Sequence, residues 1–211
     1  FKDLEEKLGI EIRVVSLISG RIEVEGESIK SRCGLENNNS KNNVDEDIRV
    51  QYLYLDSFFK DVYEFDIKSY LKWTGRFGIS LELQYEIDKN LEKAGLFLKG
   101  IRKGKRTLCM GTEEFMYIPM VLSSYIGENV YYQSTTRSPI YSHNKEEYGA
   151  QNAFSFKSPN NQEIANYFYN VPYKFYDELF LFLERKVERK KLDSILNQLK
   201  TLGIKNIYVV M

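Results

Sequence analysis

The feature that most constrains this chain is its ending. "ELFLFLERKVERKKLDSILNQLKTLGIKNIYVVM" (178–211) passes from an apolar run through a charged stretch to an amphipathic segment with Leu192, Ile195, Leu196 and Leu199. A glycine follows at 203, then a second apolar run at 207–211. Strand, helix and strand make a βαβ unit, and the crossover leaves its two strands parallel. The plan recurs upstream. "KRTLCM" (105–110) reads as a strand, "GTEE" (111–114) as a loop opening a helix, and "FMYIPMVLSSYIGE" (115–128) as that helix. Pro119 falls early enough in it to be accommodated. "NVYYQSTT" (129–136) is the next strand, and "RSPIYSHNKEEYGAQNAF" (137–154) a long loop. Earlier still, "IRVQYLYLDSFF" (48–59) reads as a strand with aromatic flanks. "QYEIDKNLEKAGLFLKGI" (84–101) reads as a helix with apolar residues at Tyr85, Ile87, Leu91 and Leu96. Strands alternating with helices predict an α/β, Rossmann-like fold with a mostly parallel sheet.

The opening carries the same punctuation. "FKDLEEKLGIEIRVVSLI" reads as the end of an amphipathic helix, a stop at Gly9 and a strand. Leu-Gly-Ile occurs at 8–10 and again at 202–204, which is either a duplication or the chance likeness of two common αβ turns. The chain begins at Phe1 with half a unit, so the expectation is a tail (1–24) of a preceding domain. Residues 25–47 are polar, rich in Asn and without periodicity, and read as a linker to a domain over 48–211.

Composition removes several function classes. Thirty basic residues balance thirty acidic ones, whereas duplex-binding domains carry a basic excess. No nucleic-acid partner is therefore expected. Two cysteines, Cys33 and Cys109, do not make a disulfide framework, and the expected compartment is a reducing cytoplasm. Apolar runs such as "LFLFL" are too short to span a bilayer, so no membrane is expected. A single histidine, His143, with two cysteines gives little basis for a zinc site.

In open parallel sheets, ligands sit beyond the carboxyl ends of the strands, which places "GTEEF", "STTRSP" and "ERKVERK" on one rim. Ser134, Thr135, Thr136 and Ser138 surround Arg137, and hydroxyls with a forked cation suit a phosphate. Taken alone, the same stretch reads better as a polar strand end with an exposed arginine. Beside it lie Gly111, Thr112, Glu113 and Glu114. A sugar phosphate needs donors at one end and carboxylate acceptors for its diol at the other. The two glutamates are thus candidates to face the ribose or a divalent cation such as Mg²⁺, with Arg137 or the metal balancing their charge. First-turn glutamates favouring a helix dipole are the plainer alternative. His143 as a general base, Cys109 as a nucleophile, and Tyr141, Tyr148 and Tyr169 as base-stacking rings are weaker candidates.

"LCMGTEEFMYIPM" followed by "VYYQSTTRSPI" resembles the TRSP domain, named for Thr-Arg-Ser-Pro, here Thr136–Pro139. "TGRFG" (74–78) and "YFYNV" (167–171) are similar to that family's Arg-Phe/His-Gly and Tyr-Asn stretches. The resemblance spans about 48–211, and the leading residues are similar to the last helix and strand of a phosphoribosyltransferase-like domain. It implies a C-terminal partner of that domain, in proteins associated with tellurite-resistance and stress-response gene clusters. It also implies a pathway that makes or modifies a nucleotide-like metabolite, a context more than a reaction. With the rim, the expected ligand is a phosphorylated ribose or nucleotide, and the first reading is an enzyme of glycosyl or phosphoribosyl transfer or of nucleotide-metabolite processing. Glu113 or Glu114 would position the sugar or Mg²⁺, and Arg137 with Arg76 would neutralise phosphate. The alternative is a non-catalytic sensing or docking module for the N-terminal domain. Phosphoribosyltransferases also carry a Thr/Gly loop after an acidic strand end. Here Glu184 stands at that strand end, but Lys and Arg fill the place of the loop, so a standard reaction in this half is not expected.

Overall fold

The structure is a computed structural model that describes residues 2–11, 48–59, 62–65, 68–71 and 78–211. The chain divides into two units, 1–34 and 35–211. In the first, helix α1 (Lys2–Leu8) ends at Gly9, whose φ of 64° closes the helix as expected. The strand expected after it, the linker and Arg76 lie outside the described residues.

The second unit contains a five-stranded sheet of β1 (Arg49–Leu53), β4 (Thr107–Gly111), β5 (Val130–Ser134), β8 (Glu178–Phe182) and β9 (Asn206–Val210). Their order is β1-β9-β8-β4-β5, and every pairing is parallel. This is the α/β arrangement the alternation predicts. β2 (Val62–Phe65) and β3 (Lys68–Leu71) form a separate antiparallel hairpin.

Strands β4 and β8 are buried at every position, so both faces of the sheet must be covered. On one face Cys109, Phe180, Phe182, Tyr208 and Val210 pack with α2 (Leu81–Ile101) and α3 (Tyr117–Ile126). On the other, Leu108, Met110, Leu179, Leu181, Ile207 and Val209 pack with α4 (Asp193–Lys200). That second layer also takes Phe156 and Phe168 from β6 (Ala153–Lys157) and β7 (Ala165–Tyr169), an antiparallel hairpin. Ala153 and Phe154 of its first strand fall at the end of the stretch read as a loop from sequence.

Helix α2 begins as the sequence dictates, with Ser80 Oγ accepting from Leu83 N. Its buried face, however, is Ile87, Leu91, Ala94, Gly95 and Leu98, while Tyr85 and Leu96 are exposed. The small pair is what lets α3 come close. A Cβ on Gly95 would stand 2.4 Å from Tyr125 Cβ.

Candidate functional site

Strands β4 and β8 are neighbours that feed helices on opposite faces, α3 after one and α4 after the other. The two departing loops must separate beyond the carboxyl ends of the strands. This is a switch point of the kind where open α/β sheets bind ligands.

The loop after β4 is fastened down before it reaches the helix. Thr112 donates through both its amide and its hydroxyl to Phe182 O, at 3.2 and 3.0 Å. Thr135 N donates to Gly111 O at 2.9 Å, and Thr135 Oγ1 accepts from Glu113 N at 2.8 Å. Tyr132 donates its hydroxyl to Met116 O at 2.8 Å, and burial pushes that phenol up to about 12. Gly111 allows the turn to fold back tightly, since a Cβ there would meet Phe115 O at 2.3 Å. Glu113 then adopts a φ of 56°, a left-handed conformation that costs a non-glycine residue roughly 1–2 kcal/mol. Such strain persists only where surrounding contacts hold it.

Those contacts surround the Glu113 carboxylate. Oε1 accepts from the Ser158 hydroxyl and from Asn166 Nδ2 at 2.7 Å. Oε2 accepts from Arg137 Nη2 at 2.9 Å and, more weakly, from Asn160 Nδ2 at 3.5 Å. A carboxylate offers about four lone-pair sites, so Glu113 is saturated by protein donors. Burial works to raise its pKa. Hydrogen bonds from Ser158, Arg137 and Asn166, with the guanidinium charge, outweigh burial and hold the carboxyl below the usual glutamate range. Asn166 must present its NH₂ to this acceptor, which leaves its buried Oδ1 without a partner. Arg185 joins at the edge, its Nε donating to Asn160 Oδ1 at 3.1 Å.

The rim thus gathers Gly111, Thr112, Glu113, Glu114 and Ser134–Ser138, as the strand order requires. Their duties differ from one another. Thr112 and Thr135 fasten the turn, and Thr136 pairs with Tyr167 and accepts from Ser138 N at 3.1 Å. Glu114, Arg137 and Ser138 face solvent. Arg137 keeps 52% of its side chain exposed while one nitrogen rests on Glu113, whose own side chain is 8% exposed. The glutamates precede α3 rather than occupying its first turn, since Met116 is the residue that starts the helix. Cys109 is a buried free thiol, and burial pushes its pKa far up, away from nucleophilic character.

Sequence reading missed Ser158, Asn160 and Asn166. The signal that reaches them is the two-residue alternation of "AFSFK" and "ANYFY" around "SPNNQE", a hairpin pattern. Among the described residues, no three His, Cys, Asp or Glu side chains gather closely enough to hold a metal ion. An apolar cavity lined by Leu55, Phe115, Ile118, Phe182, Val210 and Met211 among others has a volume of about 30 Å³. That is room for a water or two and too little for a nucleobase.

Fold and rim together define an α/β domain with a polar site at its switch point. Over residues 73–199 the chain matches the TRSP domain, described as the domain C-terminal to PRTase_2, and it belongs to that family. No curated protein and no solved structure matches it. The family description places the domain after a phosphoribosyltransferase-type domain. Among the described residues, no helix is long and apolar enough to cross a membrane.

Proposed function

We propose that this rim binds a phosphorylated ribose or nucleotide-like metabolite, as the C-terminal half of a phosphoribosyltransferase-like protein. The observation that carries the reading is Arg137. Its guanidinium is oriented by a buried, ionised Glu113 at the switch point while half the side chain stays open. An arginine held by one nitrogen retains other donors for a phosphate. Glu113, with every acceptor site filled, is a positioning residue in this state. Glu114 is the carboxylate that remains open for a ribose diol. It is also the one to meet a Mg²⁺ ion carried in by a diphosphate, since magnesium binds through substrate phosphates and few protein oxygens.

Calorimetric titration of the chain with ribose 5-phosphate tests this. Arg137→Ala should lose a charge-assisted bond worth about 1.5–3 kcal/mol, roughly tenfold to somewhat over a hundredfold in affinity. Arg137→Lys should recover only part of it. The pair with Glu113 is half in solvent, so stability should fall by less than about 1 kcal/mol. An unchanged affinity with a sharply lowered melting point would make Thr-Arg-Ser-Pro a structural corner. That outcome would favour the second reading, a docking module for the preceding domain, which the family description supports. Repeating the titration with adenosine diphosphate in Mg²⁺ and in chelator tests the ion, and equal affinities remove it.

A further inference from the structure

The loop that starts at Arg137 carries an aromatic group with no place in either core cluster. Tyr141 and His143 lie nearly parallel, with centroids 6.3 Å apart and 19° between planes. Tyr148 sets its ring at right angles to both, at 6.5 and 5.9 Å. The cluster nevertheless faces water, with Tyr141 58% and Tyr148 40% exposed.

This loop is built, not slack. His143 N donates to Ala150 O at 2.9 Å and Tyr148 N to Lys145 O at 3.1 Å. Asn170 clasps its far end, accepting from Gln151 N and donating to Gly149 O. Tyr169 fixes the near end. Its hydroxyl accepts from Ile140 N at 2.7 Å and donates to Ser138 O at 2.9 Å, between Arg137 and Tyr141. Four residues of chain span about 14 Å at most, so the backbone of Tyr141 lies within that reach of Arg137. An exposed aromatic face four residues along a fastened loop from an exposed guanidinium suits a base next to a 5′-phosphate.

We propose that Tyr141, backed by His143 and Tyr148, is the platform on which the base of a nucleotide stacks while Arg137 holds its phosphate. The proposal rests on the reading of the rim as a phosphate site. It narrows the ligand from any ribose phosphate to one that carries a base. Stacking tolerates any base, because each has a π face, and it strengthens with ring area. Purine nucleotides should therefore bind more tightly than pyrimidine ones.

The experiment is calorimetric titration of the chain, wild type and variants, with adenosine 5′-monophosphate, cytidine 5′-monophosphate, adenosine and ribose 5-phosphate. Wild type should bind the adenine nucleotide more tightly than ribose 5-phosphate. Tyr141→Ala should lower that affinity roughly fivefold to a hundredfold. It should leave ribose 5-phosphate binding unchanged, and Tyr141→Phe should retain the nucleotide. Thermal melts identify a variant that has merely lost its fold, and Tyr148→Ala then provides an independent truncation of the same cluster. Equal affinity for nucleotide and ribose 5-phosphate in wild type, or indifference to Tyr141→Ala, overturns the platform. Adenosine binding that depends on Tyr141 without any ribose 5-phosphate binding would keep the platform and overturn the phosphate reading instead.

Discussion

Two glutamates at opposite ends of the sheet show how differently one side chain can be used. Glu178 opens β8 at the amino end and is fully buried. It accepts from Thr107 Oγ1 at 2.8 Å and Lys103 N at 3.0 Å, with Arg102 Nε at 3.8 Å. All of its donors come from one short segment leading into the neighbouring strand. Glu113 lies past the carboxyl end of β4 and gathers donors from 137, 158, 160 and 166. Its backbone is left-handed, and one of its donors is half in water. Glu178 is a fastener between adjacent strands. Glu113 orders side chains from the β5 loop and the β6–β7 hairpin beyond the carboxyl end of the sheet, as the framework of the proposed site would require.

The comparison breaks most readily at the amino end. Glu178→Ala leaves Thr107 OH, Lys103 N–H and Arg102 without their acceptor and should cost about 3–5 kcal/mol, read by urea melts. Ribose 5-phosphate affinity of the folded fraction should not move. A loss of binding with little loss of stability would reverse the roles assigned to the two ends.

Gly111→Ala sharpens the comparison from the other side. The new methyl meets the Phe115 carbonyl, a backbone atom that cannot swing away, so a cost near the upper end of overpacking, about 3 kcal/mol, is expected. Unlike the change at Glu178, it should also weaken ligand binding, because it displaces the turn that carries Glu113. Intact affinity in this variant would detach the turn from the site.

The smallest effect belongs to Glu113→Gln, about 1–2 kcal/mol at neutral pH, since the amide keeps the shape and part of the bonding. Its sign with pH is definite. A carboxyl whose folded pKa lies below its unfolded one contributes stability that is complete above the ordinary glutamate range. That contribution is lost as pH falls through the folded value. The gap between wild type and Glu113→Gln should therefore close on acidification. A gap that stays constant from neutral to acid pH would mean that the charge of Glu113 does not hold the network.

Much of the fold was legible because its signals are local. Runs such as "LFLF" and "IYVV", the amphipathic segment before Gly203, and Pro119 in the first turn of α3 each carry their meaning in a few adjacent residues. The rim was legible too, because strand order alone brings "GTEEF" to "STTRSP". The centre of the site was not. Ser158, Asn160 and Asn166 are ordinary polar residues in sequence, and they acquire their role by folding 45, 47 and 53 positions back onto Glu113. The sequence offers Arg137 or a metal to balance the glutamates' charge, and the structure pairs Arg137 with Glu113. That further donors fill the carboxylate depends on residues that no spacing announces. Of the four apolar residues read on α2, Ile87 and Leu91 are buried and Tyr85 and Leu96 exposed, while Ala94 and Gly95, which admit α3, join the buried face.

The edge position of β1 has a consequence for how the chain comes into being. Among the described residues its one neighbour in the sheet is β9, with Arg49 opposite Asn206 and Leu53 opposite Val210. During synthesis β1 therefore emerges without a partner and waits while more than 150 further residues are made. At about 5–20 residues per second, that interval is on the order of 8–30 s. The strand's ladder can be completed only after Asn206–Val210 have left the ribosome. A ribosome stalled before that point would hold β8, β4 and β5 ready to pair, with the place of β9 between β8 and β1 still unfilled.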